Sequence, residues 1–223
     1  MKKYDPSRRK FMFRDIPASI AGLFSIPRLV VGLGTAGLGA ALTSGCDEED
    51  NSQPATVPRA AALLENYPAF LKNENGVLDY TLVPGLDYAD FDASLKIAQG
   101  IQRLTEGLAI ETKLPDEVTL DQNLILVGRP AYLTYSGGDN PRLTDLVNID
   151  PTAVPQLFVG DGLIKIHDYG NFKHLIVTGY GPDQIRNCGT VLNQPENYGL
   201  TGNEIFIKGL LDQFTIGNPP TDQ

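Results

Sequence analysis

Two short apolar runs, each ending in glycine, limit the folds open to this chain more than any other feature. Residues 123–128 read Asn-Leu-Ile-Leu-Val-Gly, and residues 174–179 read His-Leu-Ile-Val-Thr-Gly. A strand with one wet face would alternate polar and apolar positions, and neither run does so. Continuous apolar runs of this length are typical of strands buried on both faces of a sheet. We therefore expect helices to cover both faces of a sheet that contains these strands.

The surrounding segments complete an α/β pattern. Further strands are expected at 78–83, 162–167 and 204–208, and helices at 87–104 and 182–192. With right-handed crossovers, this order predicts an α/β fold with a mostly parallel or mixed sheet, forming a single compact domain behind a leader that is either cleaved or kept as an anchor. In the helix 87–104, apolar spacing predicts that Phe91, Leu95, Ala98, Ile101 and Gln102 lie on or near one face, with Ile97 and Leu104 beside it.

The amino-terminal segment, residues 1–45, differs in charge from the rest of the chain. The chain has 18 basic and 27 acidic residues, and this segment holds seven of the basic residues and two of the acidic ones. The remaining residues therefore carry a balance of −14. A body this acidic repels phosphate backbones, so we expect no nucleic acid among its partners.

The basic segment has the organisation of an export signal. Its centre, Ser7-Arg8-Arg9-Lys10-Phe11, resembles the twin-arginine consensus of Ser, two arginines, any residue and Phe. A weakly apolar stretch rich in glycine and alanine follows at 29–42, and its length suits a signal better than a permanent membrane span. Residues 1–45 are therefore interpreted as a twin-arginine signal segment, with Ser7, Arg8, Arg9 and Phe11 as its recognition residues.

The signal segment ends at a cysteine. Leu42-Thr43-Ser44-Gly45-Cys46 is similar to a lipobox, in which small residues precede a cysteine that receives lipid. The residue three places before the cysteine is usually a large aliphatic one, and here it is Thr43. Lipid attachment at Cys46 is the preferred interpretation, with an uncleaved anchor or cleavage within 39–45 as alternatives. Residues 46–57, acidic and interrupted by Pro54, are expected to form a flexible tether to the membrane.

A glycine motif inside the leader matches the spacing of a dinucleotide-binding motif. Residues 32–37 match the spacing G-x-G-x-x-G and follow an apolar triplet. A dinucleotide fold also needs a helix and a second strand that ends in an acidic residue about 20 positions later. Here the chain runs into Cys46 and an acidic stretch instead, so the export signal explains these residues better.

The body, residues 58–212, resembles the S-layer domain of archaeal surface proteins, with 213–223 left as a carboxyl-terminal tail. The likeness rests on short motifs at 67–70, 92–102, 123–130, 140–146, 175–180 and 200–205, with Arg186 on the last helix. It departs from the pattern at Arg129, which replaces a glycine, and at an insertion over 131–139. The resemblance implies a cell-surface location, a structural or interaction role, and other envelope or S-layer proteins as partners.

Little in the body points to catalysis. The chain contains no G-x-S-x-G, H-E-x-x-H or P-loop pattern, which favours a non-enzymatic role. Its two histidines could form a metal site only with distant partners, and no ligand spacing supports that, so no metal is predicted. The set consists of His167, His174, Asp161, Asp168 and Cys188.

A polar loop after the central strand is the best candidate for a contact surface, because loops carry function more often than strands. It contains Ser136, Asp139 and Asn140, and it could also supply oxygens to Ca²⁺. Arg129 and Tyr132 lie at the end of that strand, where open α/β sheets bind ligands. The alternatives to a structural role are therefore an exported module that binds a small ligand or cation and, less favoured, an exported cofactor-binding enzyme.

Overall fold

The computed structural model describes residues 62–134 and 138–217, which form a seven-stranded sheet with helices on both faces. The three α-helices are α1, Tyr88–Leu104; α2, Pro141–Ile149; and α3, Pro182–Asn193. The strands are β1, Thr81–Pro84; β2, Glu111–Thr112; β3, Leu124–Val127; β4, Asp161–Tyr169; β5, Phe172–Gly179; β6, Glu204–Leu210; and β7, Gln213–Gly217. The leader 1–45 and the tether 46–57 lie outside the described residues.

The sheet is mixed, and its strand order is β2-β1-β3-β5-β4-β6-β7. The first four strands in this order run parallel, and the last three are joined to β5 and to one another by antiparallel pairings. This confirms the expected α/β class with a mixed sheet. The antiparallel half arises because β4 and β5 are joined by a tight turn at Gly170, which leaves no chain for a crossover.

Both central runs are buried on both faces, as their composition predicted. In β3, Ile125 and Val127 join the core under α1 and α3, whereas Leu124 and Leu126 join the core under α2. Successive side chains of a strand point to opposite faces, so a strand covered on both sides has no polar positions. The sheet is thus the middle layer of three.

The buried face of α1 matches the predicted one only in part. Ile101, and Ile97 beside it, are buried as predicted, but Phe91 and Leu95 are 38% and 54% exposed, whereas Ala93 is buried. The reason is the closeness of α3. A Cβ atom added to Gly189 of α3 would lie 2.7 Å from the Cα of Ala93, so the two helices meet through small residues.

Three elements were missed from the sequence: β2, α2 and β7. The helix α2 begins at Pro141 and is capped by Asn140, inside the segment that we interpreted as a polar loop and a family motif. The strand β7 begins at Gln213, so the sheet extends past residue 212, where the domain boundary was placed. It does so because Asp212, with a positive φ of 59°, turns the chain back beside β6. Within the described residues, no helix is both long and apolar enough to cross a membrane.

The close contact between α1 and α3 gives a stability prediction. Gly189→Ala should lower the free energy of unfolding by about 2 kcal/mol, because the new methyl group overlaps backbone of the facing helix. An alanine in an open helix would instead stabilise it relative to glycine. Denaturant unfolding measures the change. Gly217→Ala is the control, since nothing lies within 4 Å of its added Cβ, and equal stability of the Gly189 variant and wild type would contradict the packing argument.

Candidate functional site

The strand order creates a natural crevice between β1 and β3. From β1 the chain goes by way of α1 to β2, on one side of β1, and from β3 it goes by way of α2 towards β5, on the other side. The helices α1 and α2 cover opposite faces of the sheet. Loops leaving neighbouring strands in opposite directions open a gap at the carboxyl ends of those strands, and open α/β sheets bind ligands there. We call this place the switch-point crevice.

Asn140 occupies the bottom of the switch-point crevice. Its Nδ2 donates hydrogen bonds to the carbonyl oxygens of Val83 in β1 and Val127 in β3, each at 3.0 Å. Its Oδ1 accepts hydrogen bonds from the backbone N–H groups of Arg142 and Leu143, at 3.0 and 3.2 Å. One fully buried side chain therefore ties two strand ends together and caps the start of α2.

Asp90 fills the space beside Asn140. It lies in the first turn of α1, is fully buried, and its Oδ2 accepts a hydrogen bond from the Asp87 backbone N–H at 3.3 Å. Glycines at both strand ends make room for it, because a Cβ at Gly85 would overlap Oδ2 and one at Gly128 would lie 2.9 Å away. Its other oxygen, Oδ1, is buried and has no hydrogen-bond partner among the described residues.

Burial changes the acidity of this carboxyl group. Loss of solvent raises the pKa of Asp90 to about 7, and the hydrogen bond from Asp87 opposes that rise. The nearby charges contribute less: the carboxylates of Asp87 and Asp139 raise the pKa, and the guanidinium of Arg129 lowers it. Asp90 therefore titrates near neutral pH, in contrast to an ordinary surface aspartate.

Arg129 and Asp87 close the rim of the crevice. An Arg129 nitrogen, Nη2, lies 2.8 Å from Oδ2 of Asp87, and the arginine side chain is 12% exposed. Asp87 also caps α1, because its Oδ1 accepts a hydrogen bond from the Ala89 backbone N–H. The Nε of Arg129 is buried without a hydrogen-bond partner among the described residues. The ion pair thus links the end of β3 to the start of α1.

The predicted contact loop divides into inner and outer residues. Tyr132 is 56% exposed, and Asp139 is partly buried, with its Oδ2 accepting a hydrogen bond from the Thr144 hydroxyl at 3.3 Å. Asn140 was predicted as a contact residue, but it is fully buried, because both the Nδ2 and the Oδ1 of its amide form hydrogen bonds with backbone groups. Ser136 lies outside the described residues. Across 62–134 and 138–217, no three His, Cys, Asp or Glu side chains are grouped to hold a metal ion.

The histidines do not assemble with the other residues considered as a metal set. His167 and His174 are opposite each other on β4 and β5, and Tyr169 stacks on His174 with ring centroids 5.5 Å apart. Burial lowers the pKa of His174 to about 4, so its ring is neutral at pH 7. Cys188 packs in the core under α1 and α3, and Asp161 begins β4 at the carboxyl edge of the parallel strands.

Sequence reasoning missed the role of Asp90. Asp90 forms the capping box of α1 with Asp87, as an acidic residue at a helix start can, but its full burial between the strand ends was not expected. A signal was present in the sequence, because a glycine directly follows both β1 and β3, at Gly85 and Gly128. An apolar strand does not itself require a glycine after it. Paired glycines at neighbouring strand ends indicate that a side chain from elsewhere approaches the backbone there.

A depression of about 430 Å³ lies at the opposite edge of the sheet, where the parallel strands begin. Its walls include Tyr80, Thr81, Asn123 and Phe172. It is open and lies a full strand length from the switch-point crevice, so it is not part of the same site.

The fold and crevice define an open α/β domain whose switch point is filled by its own side chains. No family model matches the chain, and no curated protein does. Among solved structures, one described as "Structure of CpGH84D" is similar at 18% identity with a TM-score of 0.33. The match covers 57% of this chain and 19% of that one, and a likeness this weak carries no functional argument.

The bridging role of Asn140 predicts a large effect of its removal. Asn140→Ala should destabilise the domain by about 3 kcal/mol, because the Val83 and Val127 carbonyl groups and two helix-start N–H groups each lose a hydrogen bond, although Val127 keeps the one from the Gly85 N–H. Denaturant unfolding followed by circular dichroism measures the change. Asn148→Ala, on the exposed side of the same helix, is the matched control and should change stability little. Similar stabilities for the two variants would show that the amide bridge is energetically unimportant.

The burial of Asp90 predicts an unusual dependence of stability on pH. The folded protein binds the Asp90 proton more tightly than the unfolded chain, since the folded pKa is about 7 and the ordinary pKa of an aspartate is 3.8. The contribution is present below pH 4 and is lost as pH rises towards 7, amounting to on the order of 4 kcal/mol. Asp90→Asn should remove this loss, so the free energy of unfolding of the variant should exceed that of wild type increasingly between pH 4 and 7.

Other groups titrate in the same range, so the difference between the two proteins is the quantity that tests the idea. Asp116→Asn, at an exposed position, provides the control for removal of one negative charge. A constant difference between Asp90→Asn and wild type across this range would contradict a raised pKa at Asp90.

Proposed function

We propose that the chain is an exported cell-surface protein with a structural or interaction role, an S-layer-like module tethered through lipid at Cys46. The export signal and the attachment cysteine support the location. The filled switch-point crevice supports the role, and it is the single structural observation that carries the proposal. Asp90 and Asn140 occupy the volume in which open α/β sheets of this kind usually hold a substrate or cofactor.

The described body begins at the edge of the sheet opposite the predicted contact loop. Leu64, at the start of the described body, donates its backbone N–H to the carbonyl of Gly202, just before β6. Because Asn203 pairs with Ile166 near the far end of β4, this point lies at the edge where the parallel strands begin. Arg129, Tyr132 and Asp139 lie at the other edge. The described body therefore begins at one edge of the sheet, and the loop of Tyr132 and Asp139 lies at the opposite edge.

Exposed apolar side chains at the edge of the sheet that carries Tyr132 support the proposal of protein partners. Tyr132 is accompanied there by Phe158 and Val159 before β4, and by Leu210 at the end of β6, with exposures from 56% to 81%. Gly209 donates its N–H to the Gly160 carbonyl, so the last two loops are neighbours. Aromatic and aliphatic side chains displayed on adjacent loops suit contact with other envelope or S-layer proteins.

One observation favours a second candidate, an exported module that binds a small ligand. Asp90 Oδ1 and Arg129 Nε are both buried without hydrogen-bond partners among the described residues. A small polar molecule that accepted from Arg129 and contacted Asp90 would satisfy both atoms. Asp90 and Asn140 already fill the space at the two strand ends, and for this reason the structural role is preferred.

The location is tested by expressing the full chain in a host that has a twin-arginine pathway. We expect a membrane-bound mature protein that begins at Cys46 and carries added lipid mass. Arg8→Lys/Arg9→Lys should keep the protein inside the cell, and Cys46→Ser should release it from the membrane. Arg28→Lys, which also lies in the leader but outside the arginine pair, is the control. Mass spectrometry and surface protease accessibility are the measurements.

Two results would overturn parts of this proposal separately. Soluble intracellular protein that retains residues 1–45 would remove the exported location and reopen the glycine motif at 32–37. Exported protein whose melting temperature rises saturably with a small polar ligand, and no longer does so in Asp90→Asn, would favour the binding module over the structural role.

A further inference from the structure

The two edges of the sheet differ in a way that bears on self-association. The strand β2 is two residues long and is flanked by an ion pair between Glu111 and Lys113, at 3.1 Å. Short, charged edge strands discourage pairing with another chain. The strand β7 is five residues long, Gln-Phe-Thr-Ile-Gly, and carries no charge. Among the described residues its one strand neighbour is β6, so half of its backbone hydrogen-bonding groups face outwards.

The side chains of β7 are divided between two environments. Phe214 and Ile216 are half-buried and pack against the core under α1 and α3. Gln213 and Thr215 are exposed on the other face. The strand therefore continues the apolar face of the sheet to its edge, and the flanks of Phe214 and Ile216 that point away from β6 remain uncovered by any other strand of the described body.

We propose that a second copy of this chain pairs with β7 in the antiparallel direction, about a two-fold axis at Thr215. In this register Thr215 faces Thr215 of the partner subunit, and Phe214 faces Ile216 of the partner subunit. Gln213 then faces Gly217 of the partner subunit. The two seven-stranded sheets become one continuous sheet, and each apolar flank is covered by its symmetric equivalent. This inference goes beyond the proposed function and does not depend on it.

The register is self-complementary in its chemistry. Aromatic residues opposite β-branched residues, and threonine opposite threonine, are among the cross-strand pairs that stabilise antiparallel sheets. A two-fold interface uses the same patch on both copies, so each favourable pair occurs in both directions. The strand has both properties: its apolar pair is symmetric about Thr215, and its central residue can pair with itself.

Charge favours this edge for the meeting of two identical acidic bodies. Residues 46–223 carry a balance of −14, so two copies repel each other over most of their surface. The five residues of β7 contribute no charge to the contact. A partner of opposite charge would be expected to use a charged surface instead, and β7 offers none.

The two-fold register makes a test by charge complementation possible. Thr215→Lys places two ammonium groups opposite each other, and Thr215→Glu places two carboxylates there. Each variant alone should raise the dimer dissociation constant roughly tenfold or more, since like charges directly opposite destabilise a strand pair. An equimolar mixture of the two variants should dimerise again, because each lysine then faces a glutamate. Thr215 is exposed, so the monomer fold is expected to tolerate both changes.

Sedimentation velocity of the full chain, in a mild detergent that covers the apolar stretch 29–42, measures the dimer. Thr112→Lys, an equally exposed threonine on the β2 edge, is the matched control and should leave the dimer intact. Circular dichroism confirms that each variant is folded. A monomeric wild-type chain overturns the proposal, as does a dimer insensitive to both Thr215 variants. Failure of the mixed variants to dimerise overturns the two-fold register.

Discussion

The hydrogen bonds of Asn140 join the carboxyl ends of β1 and β3, where the chain leaves the two strands in opposite directions. β1 and β3 are neighbours, but their chains leave towards opposite sides, and Val83 and Val127 present carbonyl groups into the gap. Buried carbonyl groups need partners, and the Asn140 amide donates to both, beside the Gly85 N–H that also donates to the Val127 carbonyl. The same amide also caps the start of α2, the helix that covers one face of the sheet. The position of α2 therefore depends on the residue that bridges β1 and β3. A change at this position therefore affects the sheet and the helix together.

Filling the crevice has an electrostatic consequence. Once Asn140 and the glycines have brought the strand ends close, Asp90 is enclosed, and its carboxyl group favours the neutral form because burial penalises charge more than the Asp87 N–H stabilises it. Arg129 could have neutralised this group, but its guanidinium pairs with Asp87 at the rim. The domain thus keeps a titratable group inside and an ion pair outside. The buried carboxyl group therefore contributes most to stability at acidic pH, where it is protonated.

The sequence predicted those features that depend on composition and missed those that depend on the fit between elements. The runs at 123–128 and 174–179 could be predicted as buried strands because their central positions, 124–127 and 175–177, are all apolar. The face of α1 was predicted wrongly at Phe91 and Leu95, since these large residues outweigh Ala93 in a hydrophobic pattern, although the approach of Gly189 requires the small residue. Likewise, Asn140 and Asp90 look like ordinary capping residues in sequence. Their burial follows from the meeting of β1, β3 and two helices, which are far apart along the chain.

Although the switch-point crevice is filled, the edge strand β7 still has main-chain groups that can form hydrogen bonds. Both faces of the sheet are covered by helices, and Asn140 satisfies the carbonyl groups of Val83 and Val127, so the main core is complete without a ligand. Main-chain hydrogen bonding remains available at β7, where neither charge nor proline discourages pairing. Under the pairing proposed for β7, stability and association depend on different parts of the domain. The filled crevice stabilises the fold, and the edge strand forms the contact.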